Sequence, residues 1–318
     1  MIRNLTLIHK AAAPLLCALL VLQTACAKEQ AKGPIWTDPA KAAAENPDFS
    51  IQGEYANTGS GVQVIALGKG QFHCSIYKGG LPGAGWDKLK IESKTGDAEV
   101  VNTVTSGMKR TERQSPTLGE KAPEGAVVLF DGSNADAWKN GKMDEKGLLE
   151  SGTETTQTFG SFKLHVEFRT PYKPETRPSS QDRGNSGIYT FGRYETQVLD
   201  SFGLDFDKDS WEKKPDSDPK QWCGCLYKFK LADTNMCLPP LAWQTYDIDF
   251  TAPQFDGDKK TVNARITVIH NGVKIHDDVE LPKGTGAGGG KKEITRGVIQ
   301  LQGHGNPIRY QNIWIQEK

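Results

Sequence analysis

Outside its first 27 residues the chain has no apolar run long enough to cross a bilayer, which takes about 20 residues. It has no long run of one charge either. Its 39 Lys and Arg balance 39 Asp and Glu, so the basic face that nucleic-acid binding needs is missing. Cysteine is sparse, six in all, with two of them inside the first 27 residues. Helical periodicity is scarce from residue 48 onward, which excludes helical bundles and α/β folds.

What is there begins with a targeting signal. Residues 1–27, MIRNLTLIHKAAAPLLCALLVLQTACA, join a basic start (Arg3, Lys10) to a short apolar core and a small-residue end. This is the pattern of a secretory signal peptide. Two processing routes fit. Ala25-Cys26-Ala27 reads as an A-x-A site, cut before Lys28, giving a soluble exported product. Thr24-Ala25-Cys26 resembles a lipoprotein box with a lipid on Cys26, although Gln23 stands where such a box usually has Leu. The expected location is periplasmic or extracellular, with a membrane contact only through that lipid. Removing the segment leaves 37 basic and 39 acidic residues, since it takes away Arg3 and Lys10 and no acid.

Cys74, Cys223, Cys225 and Cys237 then remain. In an oxidising compartment they favour disulfides, with three pairings open. Cys223 and Cys225 are too close for an easy mutual bridge, so one of them with Cys237 is the expected pair. C-x-C as a zinc half-site is the rival reading, but no second Cys/His pair has ligand spacing.

Residues 28–47 read as a tether with one short helix, Asp38 as its N-cap and Pro39 at its first position. Residues 48–106 alternate short β patterns with glycine turns and read as a small all-β domain. Residues 107–123 are polar and turn-rich, a linker. From residue 124 to 318 the pattern is strand after strand. WQTYDIDF places Tyr246, Ile248 and Phe250 on one face and Thr245, Asp247 and Asp249 on the other. Asn271-Gly272 between two strands is a strong hairpin signal. About ten strands without helices predict a two-sheet antiparallel sandwich or barrel.

The stretch RGNSGIYTFGRYETQVLDS, residues 183–201, mixes strand formers with polar groups. Burying such groups unpaired costs roughly 1–3 kcal/mol each, so one face must be wet. Alternation puts Arg193, Glu195 and Gln197 on the wet face and Tyr194, Thr196 and Val198 in the core. A second polar row, Gln300, Gln302, His304 and Asn306, is in phase if its strand runs that far. Two such rows would make a polar floor for a sugar. Asp247 and Asp249 read as outer-face charges. Asp205, Asp207 and Asp209 begin like a calcium loop, but Ser210 stands where glycine is required. GTGAGGG at 284–290 contains G-x-G-x-x-G but follows no Rossmann strand and opens no helix. It reads as a flexible loop, and no nucleotide cofactor is expected.

VVLFDGSNADAWKNG, FGSFKLHVEFRT, RGNSGIYTFGRYETQVLDS, WQTYDIDFTAPQFD, VIHNGVKIHDDVELP and LQGHGNPIRYQNIWI resemble, in order, the motifs of the 3-keto-disaccharide hydrolase family. The resemblance covers residues 124–318. It implies a jelly-roll sandwich of the concanavalin A-like lectin/glucanase type and an oxidised, 3-keto sugar as partner. Retaining glucanases of that fold resemble E-x-D-x-E on one strand. Here Glu195 is followed by Gln197 and Leu199, so a two-carboxylate glucanase would need its other acid from Asp200 or a distant strand. A ketone at C3 makes the C2 proton acidic, and elimination at C1 then needs one base and one electrophile. Glu195 and His304 are the expected catalytic pair, with Arg183 and Asn185 on sugar hydroxyls or the oxyanion. Tyr189, Gln197, Gln302, Asn306 and Trp211 are the further expected substrate contacts. Glu195, Gln197 and His304 form an alternative site for one divalent cation that polarises the ketone. The competing reading is a lectin-like protein without turnover, and a third is a structural surface protein. The feature that discriminates is whether Glu195 and His304 face each other across one groove within about 8 Å, which favours catalysis, or lie on opposite faces, which favours binding.

Overall fold

A computed structural model describes residues 33–206 and 218–318. Its main feature is a pair of antiparallel sheets packed face to face. The smaller sheet has the strand order Tyr194–Val198, Ser186–Thr190, Ile299–Leu301, Thr153–Glu154. The larger runs Val273–Leu281, Ala264–His270, Gln244–Thr251, Phe162–Arg169, Arg309–Glu317, Val127–Phe130, with Leu149–Glu150 also paired to Arg309–Glu317. This is the expected jelly-roll sandwich. The inner faces follow from alternation. Phe162, Leu164, Val166 and Phe168 on one strand, and Tyr246, Ile248 and Phe250 on its neighbour, meet Ile188, Tyr194, Val198 and Leu301. Phe250 sits at the centre, its ring 5.4 Å from Phe162, 4.9 Å from Phe191 and 5.4 Å from Tyr194. The hairpin at Asn271-Gly272 forms with both residues at positive φ, 49° and 78°. Asn271 accepts a hydrogen bond from the Thr245 amide, which ties that turn to the next strand.

The N-terminal part builds a five-stranded sheet, Glu92–Gly96, Gln71–Lys78, Ser60–Gly68, Gly53–Asn57, Lys109–Thr111. The helix Pro39–Glu45 is capped by Asp38, whose carboxylate accepts from the Lys41 amide. Two further helices were not legible as helical periods. Pro47–Ile51 is five residues long, and Ala98–Val104 is seven residues with only Val101 buried. Neither is long enough to show an apolar stripe. Val62, Val64, Ala66, Phe72 and Cys74 pack one face of the sheet on Trp36, Ala42, Val101 and Tyr172. Its other face meets the sandwich. Ile65 joins the main core, and the Ser75 hydroxyl donates to the Gly203 carbonyl at 2.6 Å. Residues 33–318 form one compact unit.

The stretch read as a linker is fastened along its length. Lys109–Thr111 is an edge strand of the small sheet. Beyond it the chain crosses the outer face of the larger sheet. Ser115 and Thr117 hydroxyls meet Thr245 at 2.6 and 2.9 Å, and Thr117 donates to Asp247 at 2.8 Å. Glu120 offers its carbonyl to Asn312 and Trp314. Beneath lies His165, fully buried, stacked on Trp314, with Nδ1 at 2.6 Å from Asp247 and Nε2 at 3.4 Å from Glu167. Burial alone would lower the His165 pKa. The hydrogen bonds and charges of Asp247 and Glu167 outweigh it and raise the value to about 9. Asp247 is thus an outer-face charge, as expected, but a bound one.

The disulfide expectation needs correction: Cys74, Cys223, Cys225 and Cys237 are all free and buried. Each packs as a small apolar side chain in a core. Cys223 and Cys237 do come into hydrogen-bonding contact, and Cys223 also meets the Tyr246 hydroxyl at 3.2 Å. The Cys225 thiol donates instead to the Pro219 carbonyl.

Candidate active site

The outer face of the smaller sheet carries a pocket of about 380 Å³. Tyr189 and Glu195 are cross-strand partners, as are Gly187 and Gln197, so their side chains share this face. Gln302 enters from the end of the strand Ile299–Leu301, its amide bonded to the Gly187 carbonyl at 2.9 Å. Two loops make the walls: Tyr227 and Lys228 from one, Gly286 and Ala287 from the other. Asn185 and His304 complete the lining.

Glu195 is the buried acid of this pocket, 1% exposed. The Tyr189 hydroxyl donates to its Oε2 at 2.6 Å. Its backbone amide donates to the Thr285 hydroxyl at 2.8 Å, which ties the strand to the glycine-rich loop. Burial lifts its pKa from the ordinary 4.5 to about 7, while the Tyr189 hydrogen bond and the Lys228 charge pull the other way. Glycine at 187 makes room for it: a Cβ there would lie 2.4 Å from Glu195 Oε1. The segment GTGAGGG is packed tightly. A Cβ on Gly288 would sit 2.0 Å from the Arg193 carbonyl oxygen, and one on Gly286 would sit 2.4 Å from the Tyr227 ring. These glycines let a wall of backbone close over the acid. Among the described lining residues Glu195 is the one carboxylate.

The expected residues that the structure describes divide into three groups. Glu195, Tyr189, Asn185, Gln302 and His304 line the pocket together, so Glu195 and His304 do share one groove. His304 is exposed, on a loop between Gly303 and Gly305, because its strand ends at Leu301. Gln197 lies under the lining. Its Nε2 donates to Asn185 Oδ1 at 3.2 Å and Gln181 Oε1 at 3.3 Å, and its Oε1 is buried without a partner. Arg183 and Asn306 lie elsewhere. Arg183 is 1% exposed and bound to Asp200 at 2.8 Å, to the Thr176 carbonyl and to the Ala66 carbonyl. It joins the sandwich to the small sheet, buried and away from the pocket lining. Asp200 is spent in the same pair. Asn306 turns inward, accepting from Lys173 Nζ at 2.9 Å and the Gly184 amide at 3.3 Å. Trp211, Asp207, Asp209 and Ser210 lie outside the described residues, as do residues 1–32.

Of the expected cation set, Glu195 and His304 line the pocket and Gln197 lies beneath it. Glu195 Oε2 is held by Tyr189, Gln197 is tied to Asn185, and His304 stands on the exposed rim. Among the described residues, the group of His, Asp and Glu side chains whose ligand atoms lie within 4.8 Å of one another is Glu120, His165 and Asp247, on the opposite sheet. There the imidazole is already engaged by carboxylates. Tyr227 and Lys228 are site residues that the strand reading of GCLYKFK missed. The segment is a turn: Leu226 bridges Lys230, and Lys228 has φ 56°.

A lectin/glucanase-type jelly roll with a buried acid in a polar pocket on its smaller sheet defines a class of carbohydrate-active sandwich. Within it, the chain belongs to the family of the 3-keto-alpha-glucoside-1,2-lyase-like domain, whose model matches residues 125–316. A solved structure of a candidate glycosyl hydrolase from Parabacteroides distasonis is 31% identical, with a TM-score of 0.52 over 62% of this chain and 85% of that one. A second candidate glycosyl hydrolase from the same organism is 17% identical, TM-score 0.44, over 61% of this chain and 94% of that one. Among curated proteins none matches the chain.

Proposed function

We propose that the chain is an exported glycosidase-type enzyme that cleaves 3-keto-glycosides by elimination across C1–C2, followed by hydration. The family membership and the P. distasonis relative support a glycosyl hydrolase-like activity. The observation that carries the finer reading is Glu195, a buried carboxyl whose pKa of about 7 matches a base at neutral pH. One such base is enough for elimination, whereas ordinary glycoside hydrolysis uses two carboxyl groups across the scissile bond. Glu195 takes the C2 proton, made acidic by the ketone. Lys228 supplies positive charge on the pocket wall for the enolate oxygen. The Tyr227 ring offers a stacking face. Gln302 Oε1 is buried without a partner and would accept from a sugar hydroxyl. Water then adds to the unsaturated sugar. These steps need no cation; one held near His304 would add polarisation of the ketone. The signal pattern of residues 1–27 supports export.

The test is turnover of a 3-keto-glucoside beside its unoxidised parent, by the wild type and by Glu195→Gln. Cleavage of the keto sugar alone, abolished in the variant, is the expected result. Cleavage of both sugars would refute the elimination reading. Saturable binding without cleavage of either would make the protein a lectin. Loss on chelation with rescue by a divalent metal would add a cation to the site.

A further inference from the structure

We propose that Tyr189 is the proton donor to the leaving group, and that it is recharged by Glu195 with the proton taken from the sugar. This rests on the elimination reading above. With one carboxylate at hand, elimination still leaves two proton tasks: removal at C2 and delivery to the departing oxygen at C1. Tyr189 is placed for the second. It lines the same pocket, its hydroxyl is 2.6 Å from Glu195 Oε2, and Gln302 Nε2 donates to that hydroxyl from 3.4 Å. The Gln302 contact occupies an acceptor site on the phenol oxygen, so its own hydrogen points outward, at present to the carboxylate.

The direction of that bond is set by the charge on Glu195. While Glu195 is a carboxylate it can only accept, and Tyr189 must donate to it. Once Glu195 has taken the C2 proton it is a carboxylic acid and becomes the donor. The Tyr189 hydrogen is then released toward the aglycone oxygen. Burial and the Glu195 charge both push the Tyr189 pKa up, so the phenol keeps its proton until then. The step balances. The C2–H bond breaks and its electrons form the enolate with C3–O. The enolate collapses to restore C3=O and form C1=C2, and the C1–O bond breaks with its pair on the aglycone. That oxygen takes the Tyr189 proton, and Tyr189 takes the proton on Glu195. The products are an alcohol and a 1,2-unsaturated 3-ketosugar, with both residues restored.

The experiment is Tyr189→Phe on two 3-keto-glucosides, one with a 4-nitrophenyl aglycone and one with a methyl aglycone. Nitrophenolate leaves without protonation; methoxide does not. Loss of a general acid typically costs about 10²–10⁴-fold. The expected result is a loss on the methyl glycoside larger by about that factor than the loss on the nitrophenyl glycoside, which carries only the effect of the missing hydrogen bond on Glu195. In D₂O the variant should still exchange the C2 hydrogen of the methyl substrate, read by NMR, although it cleaves it poorly. Equal loss on both substrates, loss of the exchange, or no loss on either would overturn the proposal. A wild type that cleaves neither substrate and exchanges no C2 hydrogen would instead overturn the elimination reading beneath it. Thermal midpoints of the two proteins control for folding.

Discussion

Glu195→Gln tests the central feature of the site through stability rather than turnover. Burial raises the Glu195 pKa from 4.5 to about 7. Between those values the folded protein holds a proton that the unfolded chain has released. The favourable contribution to folding is therefore fully present below about 4.5 and is lost as pH rises through about 7. At about 1.4 kcal/mol for each pH unit, holding an ionised Glu195 in this pocket costs about 3 kcal/mol at high pH. Glutamine has nearly the same shape, still accepts from Tyr189 and carries no charge. Glu195→Gln should thus be more stable than wild type by about that amount near pH 8.5, a difference of several degrees in thermal midpoint. Near pH 5.5 less than half of the gap should remain, because the folded wild type is then protonated at this site. Melting curves of both proteins at the two pH values decide it. A gap that does not change with pH, or a variant less stable at high pH, would refute the desolvated-acid account. The same ionisation should appear as an acid limb near pH 7 in kcat/KM.

Gly187→Ala should leave a folded protein with turnover reduced at least about tenfold, because the new methyl would lie 2.4 Å from Glu195 Oε1 and displace it; normal turnover would mean the carboxylate position is not critical. Arg183→Ala strips the partner from buried Asp200 and should destabilise by about 3–5 kcal/mol in urea unfolding, with KM unchanged. A raised KM with intact stability would return Arg183 to the substrate. The raised His165 pKa makes its contribution to stability complete below about 6.5 and lost as pH rises through about 9. His165→Gln should therefore be less stable than wild type in mild acid, and the difference should narrow between about pH 6.5 and 9, as followed by thermal midpoint. Thiol titration without reductant of the chain lacking residues 1–27 should find residues 74, 223, 225 and 237 unreactive in the native protein and four equivalents on unfolding; two or fewer would mean a disulfide has formed.

The sandwich was legible because its signal is local. Alternation in WQTYDIDF and in Tyr194–Val198 assigns each side chain to a face, and the structure keeps Phe250, Tyr194 and Val198 inside and Glu195 outside. The Asn-Gly turn and the Asp38 cap are likewise properties of two or three neighbouring residues. What failed was anything set by distant partners. Arg183 carries the chemistry of a sugar ligand, but the carbonyls of Ala66 and Thr176 and the carboxylate of Asp200 claim its donors. Nothing in the sequence around Arg183 announces a carbonyl 117 residues away. Asn306 was lost in the same way to Lys173, and the polar row assumed for Gln300 to Asn306 failed because its strand ends at Leu301.

The walls of the pocket show the same limit from the other side. A run such as GTGAGGG carries no chemistry of its own and reads as slack. Its glycines are selected by contacts with Arg193, Tyr227 and Glu195, all far off in sequence. Backbone that passes so close shields the acid from much of the surrounding water, and this desolvation lifts the Glu195 pKa. The pocket therefore depends less on added functional groups than on side chains left out: at Gly187, so that Oε1 has room, and at Gly286 and Gly288, so that the wall can close. The cost of desolvating Glu195 falls on the fold, and the interlocked aromatic core around Phe250, directly beneath the same strand, helps offset it. A buried carboxyl with a pKa near 7 and a strand anchored by Tyr194 against Phe250 are two faces of one five-residue segment, Tyr194–Val198.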